Sequence, residues 1–385
     1  MAKKEYDGDI FHKWNEQNDL HYVMENEDYL SNNIITYLGN KRRLCSLIKR
    51  GIVEVQVRLN KKRLISLDGF SGSGVVSRLL KAYSESLHVN DLELYAKVIN
   101  DCYLSNSEDV DIDQIRATID HLNNNKLRDD LGQGFIEELY APDNSDDIQL
   151  GERAFYTNEN ARIIDNIRRM VEDDPNRHLF IAPLLAEASV RANTAGVFKG
   201  FYRNSLTKEG KFGGDAENCL DRIRGDISLS MPVFSRYSCP VYTYQEDINI
   251  LVDKLPEMDL AYYDPPYNQH PYGSNYFMLN LICSYERPKD LSRVAGIPKD
   301  WNRSLYNTSK AEEFMSKLIE STRSKFILLS YNNEGIIPCE DLCVGILEKY
   351  GKVTILEEGY PAYRASRNLA GRESKVTEYL FILEK

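Results

Sequence analysis

Leu44, Leu47, Ile48, Ile52 and Val55 recur at intervals of three and four with charged residues between them, which predicts an amphipathic helix from Asn40 to Arg58. The pattern then changes period. Arg63-Leu64-Ile65-Ser66-Leu67-Asp68 reads as a short apolar strand that runs into Gly69-Phe70-Ser71-Gly72-Ser73-Gly74. Val75, Val76, Leu79, Leu80 and Tyr83 mark a following helix, and Leu87-His88-Val89-Asn90-Asp91 a second strand that ends in an acid. Strand, glycine turn, helix and strand in this order begin a parallel sheet.

From Ser105 to about Asn176 the chain reads as mainly helical, with Ile112, Ile115 and Ile119 at helical spacing and a turn at Ala141-Pro142-Asp143-Asn144. An apolar helix follows from Phe180 to Val190. Residues 200–240 are rich in Gly, Ser and Arg with little periodicity, and predict loops and short strands that need a partner to order them. The alternation of strands then resumes at Asp259-Leu260-Ala261-Tyr262-Tyr263-Asp264 and at Lys325–Tyr331. Val353–Leu356 and Glu378–Leu383 read as a closing antiparallel pair. Residues 1–30 are polar and aromatic without periodicity, and predict a helix or an arm. The whole pattern predicts an α/β fold: a mostly parallel, Rossmann-like sheet formed by residues 1–105 and 241–385, interrupted by a mainly helical insertion at 106–240.

Charge and cysteine usage narrow the function. The formal net charge of -11 argues against indiscriminate coating of nucleic acid, because Lys and Arg at phosphates supply most of that affinity. Between Glu108 and Arg177, however, 18 acidic residues face 8 basic ones, so nearly all of the net charge lies in that stretch and the rest is close to neutral. Against that background four basic groups stand out as candidates for one face. They are Lys41-Arg42-Arg43; Lys61-Lys62-Arg63; Arg191, Lys199, Arg203, Lys208 and Lys211; and Arg364, Arg367, Arg372 and Lys375. Seven scattered cysteines do not suggest a disulfide framework, and Cys339 and Cys343 have no neighbours that would complete a zinc set. With no apolar signal core at the start and no run of about 20 apolar residues, the expected compartment is the cytosol, with no membrane partner and no metal.

Chemistry concentrates in Asp264-Pro265-Pro266-Tyr267, at the carboxyl end of an apolar strand where open α/β sheets bind ligands. The prolines fix the backbone and leave carbonyls without competing donors. Asp264 and the Pro265 carbonyl can then accept both hydrogens of an exocyclic amine, while Tyr267 offers a ring for a base to stack on. The glycine turn lets backbone approach a ligand and opens a helix N-terminus toward it. Asp91, with Glu93 as the alternative, is suited to ribose hydroxyls.

Together these motifs resemble the D12 class of adenine-specific DNA methyltransferases, the family that includes the Dam enzymes. Tyr37-Leu38-Gly39-Asn40-Lys41 is similar to the family's first cofactor motif, Asp68 to Gly74 to its glycine motif, and Asp264 to Tyr267 to its catalytic motif, here followed by Asn268 and Tyr272-Gly273-Ser274-Asn275-Tyr276. Ala192–Phe198 and Ser330–Gly335 extend the likeness in the family's order.

The resemblance implies S-adenosylmethionine as cofactor, framed by Tyr37, Lys41, Asp68, Phe70, Ser71, Gly72, Gly74, Asp91, Asp247 and Asp264. Asp91 would bind its ribose and Asp247 its adenine amine. Asp264, Pro265, Pro266 and Tyr267 would hold a flipped-out adenine of double-stranded DNA for direct methylation at N6. The motif order is that of the alpha group, so residues 106–240 are expected to read the DNA, through Arg191, Lys199, Arg203, Lys208 and Lys211 rather than through the acidic half. A cognate restriction endonuclease is a further partner the resemblance leaves open. Three alternatives remain: methylation of a cytosine amine; an RNA or protein substrate for the same core, which the large middle module fits less well than duplex DNA; and a noncatalytic DNA-binding subunit of the same fold.

Overall fold

A computed structural model of the protein describes residues 25–267, 271–361 and 375–385. Helix α1, Cys45–Leu59, follows a 3₁₀ turn at Lys41–Leu44 and stops where Asn60 turns left-handed. Strand β1, Leu64–Asp68, leads through the glycine turn into α2, Val75–Lys81; β2, Ser84–Asp91, and α3, Leu94–Tyr103, come next. The insertion contributes α4, Ile112–Asn125, α5, Asn158–Met170, and α6, His178–Arg191. Strands β3, Val241–Gln245, and β4, Met258–Tyr263, resume the sheet. Helices α7, Phe277–Ser284, and α8, Ala311–Ser321, precede β5, Ser324–Asn332, and the hairpin of β6, Lys352–Pro361, and β7, Lys375–Glu384.

The seven strands form one sheet in the order β3-β2-β1-β4-β5-β7-β6. The first five are mutually parallel, and β7 runs antiparallel to both β5 and β6. The order reverses about β1 and β4, and that switch point is where an open sheet leaves a crevice beyond its strand ends. The strand alternation predicted from sequence is therefore met, including the reversed hairpin.

Alternate residues of the central strands face opposite layers. Leu64, Leu87, Leu260, Tyr262, Leu328, Leu380 and Ile382 pack against α1 and α2, whereas Leu67, Ala261, Tyr263, Ile327, Leu329 and Phe381 pack against α8 and the short turn after β3. Burial on both faces accounts for the near-continuous apolar character of β4 and β5. A third core joins the insertion to the sheet's flank: α3 and α7 share it with α4, α5 and α6.

Three local expectations differ. Strand β3 escapes the sequence pattern because it is an edge strand with no buried residue, and its Tyr242 is 49% exposed. Strand β2 starts three residues earlier than the apolar run suggests, at Ser84. Residues 200–240 are held by their own chain: Asn160 donates to the Ile223 and Gly225 carbonyls, and Phe212 and Ile223 pack on Ala154. Residues 1–24 of the predicted arm lie outside the described residues, as do Asn268, Arg364, Arg367 and Arg372.

Candidate active site

The strand ends of β1, β2 and β4 open into one cleft of about 1080 Å³. Tyr37, Lys41, Phe70, Ser71, Gly72, Asp91, Asp247 and Asp264 to Tyr267 all line it, so the motifs converge although the chain separates them by more than 200 residues. Asp68 and Gly74 sit behind its wall rather than on it. Gly74 is left-handed at φ 75°, and a Cβ there would come within 2.8 Å of Asn100 Oδ1. Gly72, at φ 50°, admits Tyr37: a Cβ would lie 2.8 Å from its ring.

The glycine turn is braced from β2. Gly72 N donates to Asp91 Oδ2 at 2.7 Å, and Glu93 N donates to Asp91 Oδ1 at 2.9 Å. Glu93 is buried; its Oε2 accepts from Asn280 Nδ2 at 2.6 Å and Asn302 Nδ2 at 3.1 Å, while among the described residues no donor reaches Oε1. Beneath the turn Asp68 Oδ2 accepts from Ser77 Oγ at 2.6 Å, and Asp68 Oδ1 is buried without a described partner. Asp247 caps the turn after β3 by accepting from Asn249 N, and Asn249 reaches on to Tyr306 Oη at 2.8 Å. Tyr306 meets the Phe70 ring edge-on at 5.1 Å.

Tyr37 stacks on Tyr276 at 4.9 Å and leans on Tyr272 at 5.1 Å. Leu38 N donates to Tyr276 Oη, and Tyr272 Oη donates to Leu38 O. These contacts tie the first motif to the helical turn that follows the catalytic tetrapeptide.

At the tip of β4, Lys41 Nζ lies 3.0 Å from Asp264 Oδ1, 3.1 Å from Tyr267 Oη and 2.7 Å from Glu378 Oε1. Burial opposes the charge on Lys41, but Asp264, Tyr267 and Glu378 outweigh it and hold the ammonium well above the usual lysine range. Lys41 is therefore an internal charge, not part of a basic face. Lys61, paired with Asp259, and Arg63, donating to Ser238 O, are likewise engaged within the fold.

Burial pushes the carboxyls around the cleft upward. Asp264 rises to about 7, with Lys41 opposing and Glu378 adding. Asp68 and Glu93 also rise to about 7, and Asp91 to about 6, where backbone amides oppose the shift. Four acids that resist ionisation around one cleft favour a ligand that brings positive charge.

The five basic residues of the insertion lie elsewhere. Arg191 is half-buried, beside Glu187 and donating to Arg222 O. Lys199, Arg203, Lys208 and Lys211 share a loop in which Arg203 bridges Gly210 and Lys211 pairs with Glu217. Asn193 holds that loop, donating to the Ala154 and Lys211 carbonyls and accepting from Gly213 N.

Sequence reasoning missed Glu378, Tyr262, and the loop bearing Asn302, Ser304, Leu305 and Tyr306, all near or on the cleft. The loop has no periodicity to read. Glu378 left one signal, an acid at the head of the apolar run Tyr379–Leu383.

A sheet in this order with a reversed seventh strand, a glycine turn after β1 and Asp-Pro-Pro-Tyr after β4 defines a Rossmann-like methyltransferase. The model of the D12 class N6 adenine-specific DNA methyltransferases matches residues 37–341, and the chain belongs to that family. It is similar to the Type II methyltransferase M.NlaIII of Neisseria lactamica, 28% identical over 91% of this chain and 99% of the relative. The Type II methyltransferase M.CviAII of Paramecium bursaria Chlorella virus 1 is 27% identical over 91% and 98%. The modification methylase StsI of Streptococcus sanguinis is 28% identical over 91% of this chain and 52% of its own length. Among the described residues no group of His, Cys, Asp or Glu is arranged to hold a metal, and no helix is long and apolar enough to cross a membrane.

Proposed function

We propose that the protein transfers a methyl group from S-adenosylmethionine to N6 of an adenine turned out of a specific site in duplex DNA, as the modification partner of a restriction endonuclease. The observation that carries this reading is the Asp264-Pro265-Pro266-Tyr267 turn at the mouth of the carboxyl-lined cleft, with Lys41 bonded to both Asp264 and Tyr267. The names of the Type II relatives support the restriction-modification setting.

The cleft fits this cofactor. Glu93 lines the cleft with Oε1 free of any described donor, and the acids around the cleft favour positive charge, which the sulfonium and ammonium groups carry. When bound, S-adenosylmethionine supplies an electrophilic methyl. Phe70 and Tyr306 would frame the adenosyl group, with Asp247 accepting from its amine and Tyr37 closing the other end of the cleft. The ribose falls to Asp91 and Glu93; Glu93 Oε1 is the open acceptor, because Asp91 has both oxygens on backbone amides.

For the target base, Asp264 Oδ2 and the Pro265 carbonyl accept from the amine while Tyr267 stacks on the ring. Hydrogen bonds that strengthen as the nitrogen becomes positive favour the transition state over the bound substrate. Residues 1–105 and 241–385 would carry this chemistry, and residues 106–240 would recognise DNA. Acting on cellular DNA, the protein would work in the cytoplasm.

Single-turnover methylation of duplex DNA by Asp264→Ala, with cofactor binding followed in parallel, tests the reading. We expect a loss on the order of 100- to 1,000-fold in rate, with cofactor binding weakened far less because Asp91 and Glu93 remain. Wild-type transfer by that variant, or transfer to cytosine by the natural protein, overturns it. Methylation-sensitive sequencing of DNA from expressing cells identifies the site.

A further inference from the structure

A lysine ammonium has three donors, and three oxygens stand within bonding distance of Lys41 Nζ. Two belong to the catalytic tetrapeptide. The third and nearest, at 2.7 Å, is Oε1 of Glu378, which lies beyond the family match at residues 37–341 and in none of the motifs. Glu378 is buried in β7 between Asn332 of β5 and Glu358 of β6, its directly paired neighbours, and a buried ionised carboxylate there is unfavourable unless paired with a cation. Ser330 Oγ on β5 donates to the same oxygen at 2.7 Å.

Register brings these groups together. Asn332 pairs with Glu378 across β5 and β7, so Glu378 faces the same layer as Leu380 and Ile382, the layer beneath the 3₁₀ turn that carries Lys41.

We propose that Glu378 is a positioning residue for methyl transfer: it anchors the Lys41 ammonium between β7 and β4 and so fixes the Asp264 carboxylate and the Tyr267 ring where the target amine must dock. This rests on the proposed role of Asp264. Charge balance is the physical reason a second carboxylate is useful. A lysine paired with Asp264 alone would neutralise the acceptor that the amine needs. Shared between two carboxylates, the lysine leaves the group of three with one net negative charge, and Asp264 Oδ2 takes no bond from the described residues. That oxygen keeps its strength as an acceptor while positive charge builds on the amine nitrogen.

The charged and titratable groups that face Asp264 are Lys41 from the 3₁₀ turn, Glu378 from β7, Asp68 from β1 and Tyr262 from β4, with Tyr267 and Tyr272 beyond β4. Glu378→Gln keeps the shape and an acceptor for Lys41 but removes the charge. We expect its single-turnover rate to fall on the order of 10- to 100-fold through misplacement of the docking groups, with cofactor affinity retained. The acid limb of its rate profile should move to lower pH, because a negative charge beside Asp264 is gone.

Since Glu378 acts through Lys41, adding Glu378→Gln to Lys41→Met should cause no further loss, whereas additive losses overturn the positioning role. Glu378→Asp draws the charge back from Lys41 without removing it, and should be slow with the acid limb near its natural position; a natural rate in this variant also overturns the proposal. Thermal unfolding of each variant separates loss of fold from loss of placement, and Glu378→Asp stands in if Glu378→Gln does not fold. If Asp264→Ala transfers methyl groups normally, the underlying reading fails. If Asp264→Ala is slow while Glu378→Gln keeps both rate and acid limb, only the present inference fails.

Discussion

Lys41 and Tyr267 are 226 residues apart in the chain, yet the lysine ammonium lies 3.1 Å from the tyrosine hydroxyl and 4.9 Å from the centre of its ring. Asn332 Nδ2 donates to the same hydroxyl at 3.3 Å, and the Tyr331 ring packs at 5.0 Å. Tyr267 is therefore oriented by its oxygen as well as offered by its face, a role that a reading of the tetrapeptide as a stacking surface does not include.

Tyr267→Phe should keep the ring and lose the two bonds that steer it, with a fall in single-turnover rate of about tenfold, the scale of a hydrogen bond to a charged group. Tyr267→Ala loses the stacking face too and should fall on the order of 10- to 100-fold further. Equal rates in the two variants would show that the base does not use the ring.

Removing the lysine should move the pH profile in the opposite direction from removing Glu378. Burial raises Asp264 to about 7 and Lys41 opposes that rise, so Lys41→Met lifts the Asp264 pKa further. Transfer near pH 7 should then fall steeply and recover in part as pH is raised toward 9. A rate profile of unchanged shape, merely scaled down, would mean that Lys41 does not control the ionisation of Asp264.

Apart from the exposed edge strand β3, the strands and the three motif clusters were legible because each is local: an apolar run, a glycine turn, or an acid and two prolines at a strand end. What joins them was not. Glu378 reaches the site only through the β5 and β7 register, and a one-residue slip would turn it to the opposite layer. Asp91 was legible as an acid at a strand end, but its use as a brace for Gly72 depends on the turn's three-dimensional path. Tyr306 lies in an irregular loop, and its contact with Phe70 carries no signature in spacing. The basic clusters misled in part, since a sequence shows charge but not that Lys41 is buried or that Lys61 and Arg63 are bonded to groups of the fold itself.

Cofactor affinity should depend on pH. Asp68, Asp91, Glu93 and Asp264 have folded pKa values of about 6 to 7, above the usual range of about 4. Between about pH 4 and 7 the folded protein thus binds more protons than the unfolded chain, and its stability without ligand declines as pH rises through that window. A net cationic ligand favours the ionised carboxylates, so S-adenosylmethionine should bind more tightly as pH rises from about 5.5 to 7.5, with release of protons. Its demethylated product lacks the sulfonium charge and should show a shallower dependence. Calorimetry in buffers of different ionisation enthalpy measures the proton count; equal dependence for both ligands would remove the sulfonium from the acids' influence.

The basic residues of the insertion should not behave as one group. Lys199, Arg203 and Lys208 are exposed on the loop held by Asn193, whereas Arg191 is half-buried beside Glu187 and bonded to the Arg222 carbonyl. Lys211 is intermediate, exposed in part and paired with Glu217. Replacing Lys199, Arg203 and Lys208 by Ala should leave the fold intact and weaken binding to every DNA sequence, lowering the salt slope by roughly one for each phosphate that is no longer neutralised. Arg191→Ala should act mainly on thermal stability, because it opens the bond to Arg222 that joins α6 to the loop's far end. Asn193→Ala removes bonds to Ala154, Lys211 and Gly213 at once, so the loop should lose its shape and affinity should fall although no charge has changed. Salt-titrated DNA binding alongside thermal unfolding separates the three behaviours. An unchanged salt slope in the triple variant would place the DNA on another face of the molecule.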